Sequence, residues 1–400
     1  MKPILIVGAG LAGYTVAREL RKLDKVVPIV IVTADGGGFY SKPMLSNAFA
    51  QGKTAAQLAS HNAEKMAQEL NATILSNTQV LALDLAAQTI RTDSGQLEYA
   101  KLVLATGASP IRLKLGGDAG DSVMSVNHLD HYRAFRDQLD AKSEPSRIAI
   151  LGAGLIGCEF ADDLAGARHV VTLIDPQTLP LAAIAPHEVG RELAEALVRR
   201  GVTLRLGTSA IEVNHVRGAL DLQLADGSTV AADIVLSAVG LRADLQLAQA
   251  AGLSTERGIL VDPFGQTSAA HVYALGDCAQ YCDETGMSTT LPYIAPLMSA
   301  GRAIARTLAG TPTRIDLKPA PVIVKTPSCP IALVPAPSHA RESGSWHGTR
   351  DGAAMLTRFY DINGTMLGFA VTGQDPKLRQ KLQSELGSKL VASVPSFHEV

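Results

Sequence analysis

Ile4-Leu5-Ile6-Val7 runs directly into Gly8-Ala9-Gly10-Leu11-Ala12-Gly13, and Ile148-Ala149-Ile150-Leu151 runs in the same way into Gly152-Ala153-Gly154-Leu155-Ile156-Gly157. Each pairs an apolar, strand-like run with a G-x-G-x-x-G spacing. Glycines at those positions permit a tight strand-to-helix turn and let backbone approach a pyrophosphate, whose negative charge the following helix N-terminus favours. One such spacing is weak evidence. Two, each in strand-loop-helix context and about one domain apart, imply two dinucleotides in one chain.

The surrounding sequence completes both units. After the first loop, Tyr14–Leu23 carries apolar residues Val16, Ala17 and Leu20 at helical spacing, and Pro28–Val32 reads as a second parallel strand. An acidic residue normally stands roughly twenty positions past the glycines, where it bonds a ribose hydroxyl. Thr33 occupies that place here, and Asp35 follows two positions later. In the second unit, strand Arg147–Leu151 leads to a helix around Cys158–Leu164 and a strand Val170–Ile174 ending in Asp175. A carboxylate at that point accepts from ribose hydroxyls and repels a 2′-phosphate, which favours NADH over NADPH.

Two further strand-plus-glycine segments, Lys101–Leu104 with Ala105-Thr106-Gly107 and Ile234–Leu236 with Ser237-Ala238-Val239-Gly240, read as crossovers between domains. Another strand closes on Gly276-Asp277. From about Ile315 prolines cluster and short alternating segments follow, such as Met355–Tyr360 and Leu367–Val371, as in a small β-rich domain. The predicted fold is α/β: two Rossmann-like three-layer dinucleotide-binding domains and a small C-terminal α+β domain. The division places 1–107 and 242–314 in the first domain, 108–241 in the second and 315–400 in the third.

Composition narrows the function classes. With 46% hydrophobic and 18% charged residues the chain can bury several cores, and a net charge of −2 gives no general attraction to nucleic acid or anionic membrane. The start imitates a signal peptide, but the same residues build the first nucleotide turn. No apolar run is long enough to span a membrane. Four scattered cysteines, Cys158, Cys278, Cys282 and Cys329, suit a reducing cytoplasm better than a disulfide framework. Cys278 and Cys282, like His128 and His131, lack the further ligands of a metal site, so no metal is predicted. Cys329 reads as structural in its proline turn, and Trp346 as loop packing or a surface patch.

In order and content, the first loop, Tyr40-Ser41-Lys42-Pro43-Met44-Leu45-Ser46, the Ala105-Thr106-Gly107 crossover, the second loop with Glu159, the Val239-Gly240 crossover and Gly276-Asp277 resemble the FAD-dependent two-dinucleotide reductases. That family contains glutathione reductase, bacterial ferredoxin reductases and NADH oxidases. Thr33-Ala34-Asp35, Leu155-Ile156-Gly157-Cys158-Glu159-Phe160 and above all Lys325-Thr326-Pro327-Ser328-Cys329-Pro330 are most similar to its rubredoxin-reducing branch.

The resemblance implies FAD bound by the first unit, through Gly8, Ala9, Gly10, Leu11, Ala12, Gly13, Thr33, Ala34, Asp35, Lys42, Pro43, Val80, Ala105, Thr106, Gly107, Gly276, Asp277 and Ile294, with Glu159 and Lys325 from elsewhere in the chain. NADH would be held by Gly152, Gly154, Leu155, Ile156, Gly157, Asp175 and Gly240. Asp277 at a strand end would accept from ribityl hydroxyls, and Lys42 or Lys325 would donate to flavin heteroatoms. Val80 and Ile294 offer only packing or backbone contacts.

Neither the cysteine pair of the disulfide reductases nor the single redox cysteine of the peroxidases and water-forming oxidases is present; Phe39-Tyr40-Ser41-Lys42 stands where the latter belongs. Electrons must then leave from the flavin itself, with no catalytic side chain. The implied activity takes hydride from NADH and passes single electrons to rubredoxin, feeding an alkane hydroxylase, with a monomer slightly favoured. The alternatives are a ferredoxin reductase of an oxygenase, an NADH oxidase, or a flavin-bound interaction protein.

Overall fold

The computed structural model describes residues 1–282 and 288–390. The chain forms two compact units: Met1–Lys42, Ala55–Ser109 and Leu241–Lys318 make the first, and Pro43–Thr54, Pro110–Gly240 and Pro319–Val400 the second. The second unit thus takes in residues 43–54, which the sequence division places with the first dinucleotide domain. It also holds the C-terminal segment, whose residues 391–400 lie outside the described residues.

A parallel sheet forms the middle of the first unit, in the order Val272–Ala274, Lys101–Leu104, Ile4–Val7, Ile29–Val32, Thr73–Leu75. Ile4 pairs with Ile29 on one side and Lys101 on the other. Covered on both faces, these strands read as unbroken apolar runs, since no face is left for water. Helices Leu11–Leu23 and Ile294–Leu308 pack together, where Gly301 presses on Thr15 with no room for a Cβ. A three-stranded antiparallel meander, Val80–Asp84, Thr89–Thr92 and Gly95–Glu98, adds Val80, Ile90 and Leu97 to the same core.

The second unit repeats this plan. Its parallel sheet runs Thr203–Leu206, Val170–Asp175, Arg147–Leu151, Ile234–Ser237, accompanied by the meander Ala210–Val216, Ala219–Leu224 and Thr229–Ala232. Its C-terminal part is a five-stranded antiparallel sheet in the order Val322–Val324, Ile331–Val334, Met366–Thr372, Ala354–Tyr360, Ser345–Asp351. The Pro376–Glu385 helix covers it, burying Leu382 against Met366 and Phe369.

Trp346, predicted in a loop, lies on the Ser345–Asp351 strand with its ring edge-on to Phe359 at 5.3 Å. The Ser, Gly and His around it mask a strand that sits at the sheet's edge, where small and polar residues are tolerated. Both loop helices begin earlier than their periodicity predicts, at Leu11 and Leu155, because each starts on a glycine N-cap with no polar capping side chain to announce it. Among the described residues, no helix is long and apolar enough to cross a membrane.

Candidate coenzyme sites and acceptor groove

In the first loop, two of the three glycines are dictated by the protein. Gly8 has φ +111°, and a Cβ there would strike the Ala105 carbonyl; a Cβ on Gly13 would strike the Gly8 carbonyl. Gly10 is different: its φ is −74°, open to any residue, and a Cβ would have nothing within 4 Å. No contact among the described residues requires glycine at 10. Close approach by a bound group would require it, and the adjoining helix start, with neither acid in its first turn nor side-chain cap, suits a pyrophosphate. The second loop repeats this, with Gly152 facing the Ala238 carbonyl, Gly157 the Gly152 carbonyl, and nothing near Gly154. Leu155 is partly exposed and Ile156 exposed at the head of that helix. The residues present therefore fit a dinucleotide in each unit.

Elsewhere in the first unit, Asp35 is a turn-maker. One of its oxygens accepts from the Thr33 hydroxyl at 2.7 Å and the Gly37 N–H at 2.9 Å, and Tyr14 donates to the Gly37 carbonyl. Thr33 spends both backbone groups on Leu75 and Thr78, and Ala34 is exposed. Lys42 Nζ stands 4.0 Å from Asp277 Oδ2; burial lowers the lysine's pKa, and Asp277 partly opposes that shift. Gly276 donates its N–H to the Tyr281 hydroxyl at 3.0 Å. Ala105 continues the sheet through Val7, and the Thr106 hydroxyl reaches the Asp244 carbonyl, with Gly107 next to it. Val80 is a core residue, whereas Ile294 exposes about half of its surface at a helix start.

Asp175, in the second unit, is already turned to its loop: Oδ2 accepts from the Ala153 N–H at 2.6 Å and Oδ1 from the Gln177 N–H at 2.7 Å. Gly240 lies exposed in the same unit.

Glu159, which the helix position alone would leave in solvent, is 5% exposed. Its Oε1 accepts from the Lys325 N–H at 2.9 Å, and its Oε2 accepts from the Lys325 ammonium and the Ser46 hydroxyl. The same ammonium donates to the Pro43 carbonyl and to Asn47 Oδ1, each at 2.7 Å. All three ammonium donors of Lys325 are therefore engaged within the protein. Sequence reasoning gives no role to Ser46, Asn47, Asp162, Asp163 or Ser328, although Ser46 and Ser328 stand in motifs it quotes. The available signal is Asp162-Asp163, which with Glu159 puts three acids into the otherwise apolar Cys158–Leu164 stretch, since carboxylates on a buried face must find donors.

No disulfide joins any of the four cysteines, and Cys158, Cys278 and Cys329 are buried. Burial pushes the thiols of all three upward, away from the thiolate a redox relay needs. His128 and His131 form a helix cap: His128 Nδ1 accepts from the His131 N–H at 3.4 Å. Among the described residues no group of three or more His, Cys, Asp or Glu could hold a metal ion.

A groove of about 400 Å³ lies wholly within the second unit. Met44, Ile323, Pro327, Pro330 and Ile331 give it apolar walls, with Lys325 and Arg379 among its charged groups. The helix that carries Arg379 also exposes Lys377 and Lys381.

Residues 2–298 match the model of the pyridine nucleotide-disulphide oxidoreductase family. The chain belongs to that family. Residues 314–386 further match the rubredoxin binding C-terminal domain. Among curated relatives, a rubredoxin-NAD(+) reductase of Alcanivorax borkumensis is 42% identical over 387 residues, spanning 96% of this chain and 99% of the relative. A nitric oxide reductase FlRd-NAD(+) reductase of Aeromonas salmonicida is 38% identical, spanning 95% and 96%. Among solved structures, a ferredoxin reductase from Rhodopseudomonas palustris superimposes with a TM-score of 0.88 over 97% of this chain and 96% of that one, at 24% identity. As a pyridine nucleotide-disulphide oxidoreductase the protein is an FAD-binding, NADH-dependent enzyme. It keeps the family's two dinucleotide folds without a disulfide among its own cysteines.

Proposed function

We propose that the protein takes reducing equivalents from NADH through bound FAD and passes them one at a time to rubredoxin docked over the groove of the second unit. FAD, when bound, accepts hydride from NADH and converts an electron pair into single electrons. The chain's own residues bind and orient. The first loop would hold the FAD pyrophosphate at Gly10, with Lys42 and Asp277 supplying a donor and an acceptor for the rest of the cofactor. The second loop would hold the NADH pyrophosphate at Gly154. Asp175, fixed by the Ala153 N–H, would present its remaining lone pairs to ribose hydroxyls and repel a 2′-phosphate.

The Glu159–Lys325 pair modifies the assignment of Lys325. With its donors filled by Glu159, Asn47 and Pro43, this lysine would order the groove wall, leaving Lys42 to face the cofactor. The observation that carries the acceptor assignment is the match of residues 314–386 to the rubredoxin binding domain, the stretch that supplies most of the groove. The burial of Cys158, Cys278 and Cys329, which pushes their thiols upward, supports direct electron transfer without these sulfurs. We place the reaction in the cytoplasm, with a rubredoxin-dependent alkane hydroxylase as consumer. The test is NADH-dependent reduction of rubredoxin by the purified enzyme. An NADH oxidase would instead run at full speed on oxygen and gain nothing from rubredoxin.

A further inference from the structure

The Leu155–Gly166 helix starts at the second coenzyme loop and carries two adjacent buried acids, Asp162 and Asp163, exposed by 0% and 3%. Neither is needed for the coenzyme loop, and both reach elsewhere. Asp162 Oδ2 accepts from the Ser328 N–H at 2.8 Å and from its hydroxyl at 3.0 Å, while Oδ1 faces Arg200 Nε at 3.3 Å. Asp163 accepts from the Phe49 N–H at 2.7 Å and the Ala50 N–H at 3.2 Å. One turn earlier Glu159 accepts from the Lys325 N–H. A single helix therefore grips two separate strips of chain, residues 46–50 and 325–328.

Those two strips adjoin the groove. Met44, Asn47 and Gln51 line it from the first, and Lys325, Thr326 and Pro327 from the second. At the gripped residues neither strip belongs to a sheet: the first is the end of a short 3₁₀ turn with the residues just past it, the second a connection between two strands. Burying carboxylates is costly, and apolar side chains would pack this face with no such penalty. What the carboxylates supply is direction, because they fix backbone N–H groups that would otherwise leave each strip free to slide.

We propose that Asp162 and Asp163 are positioning residues for the acceptor groove: by pinning the two strips to one rigid helix they set the groove's width and so act on acceptor binding, not on reduction of the enzyme by NADH. The inference rests on the rubredoxin reading. It is tested by comparing the FAD-loaded wild type with Asp162→Asn, Asp163→Asn and Ser328→Ala, measuring the stopped-flow rate of enzyme reduction by NADH and the KM and kcat for rubredoxin. Asp162→Asn and Asp163→Asn should each raise the rubredoxin KM by about tenfold, the scale of one lost charge-assisted hydrogen bond, while reduction by NADH stays within about twofold. Ser328→Ala, which keeps the N–H bond, should raise KM by about threefold. Unchanged rubredoxin KM in the variants, or a parallel fall in NADH reduction and rubredoxin turnover, overturns the proposal. If the Asp variants do not fold, Ser328→Ala decides by the same criterion. A wild type that fails to reduce rubredoxin refutes the functional reading itself, a result distinct from variants that merely match an active wild type.

Discussion

Gly10 and Gly154 are glycines that the protein's own packing does not demand, so substituting them separates folding from binding. Gly10→Val should leave the fold intact, apart from about 1 kcal/mol for a poorer helix cap, yet give colourless protein on purification. Gly154→Val should give yellow protein whose FAD is reduced by NADH at least a hundredfold more slowly at low coenzyme concentration. Normal colour in the first variant, or normal reduction in the second, would remove the assignment of that loop. Asp175→Asn keeps an acceptor for the Ala153 N–H but removes the charge that repels a 2′-phosphate. The NADH-over-NADPH preference in kcat/KM should fall by about 1–3 kcal/mol, read as a drop of roughly five- to 150-fold. At this scale the sequence reveals the glycines and Asp175 because their spacing is that of one tight strand-to-helix turn, closed by glycines against neighbouring carbonyls and held in the second unit by Asp175. It does not reveal the occupation of Lys325, since Asn47, Pro43 and Glu159 are far from it in the chain and meet it only in the fold.

Elements are legible where one residue pattern serves one environment. The apolar runs Ile4–Val7 and Ile148–Leu151 announce parallel strands, and the alternation in Met355–Tyr360 announces an antiparallel one. The edge strand at Trp346 and the glycine-capped helix starts lack such a pattern, so the sequence hides them. The Leu155–Gly166 helix shows how the carboxylates of an apolar element become a stability signal. Burial pushes the Asp163 carboxyl up to about 6, against the partial relief of the Phe49 and Ala50 N–H groups. A raised carboxyl pKa means that the folded state binds the proton more tightly than the unfolded one. Its contribution is present in full below about pH 4 and is lost as pH rises through about 6, amounting to about 3 kcal/mol over that window. Asp163→Asn cannot titrate, so wild-type stability minus variant stability, from urea midpoints at pH 4 to 7, should decline with rising pH and level off above pH 6. A difference that stays flat or climbs would contradict the burial-dominated assignment.

For the whole molecule, function is divided between two similar coenzyme folds and a C-terminal sheet that departs from them. Replacing all four cysteines by serine should leave reduction by NADH within about threefold of wild type once packing losses at the buried sites are allowed for, because no thiol carries electrons. Activity that vanishes in that protein while FAD remains bound would restore a sulfur relay. Arg379, Lys377 and Lys381 place positive charge on the groove's helix, so association with an acidic acceptor should slow as ionic strength rises from about 0.01 to 0.15 M, as the Debye length shrinks from about 30 to 8 Å. Above all, electrons should pass from NADH through this FAD enzyme to rubredoxin. The most direct measurement is the initial rate of NADH oxidation by the purified holoenzyme with saturating rubredoxin, set against the rate with air-saturated buffer alone. The rate with rubredoxin should be at least tenfold above that with oxygen, with two rubredoxins reduced per NADH consumed; a rate that is the same with and without rubredoxin would rule out rubredoxin as the acceptor.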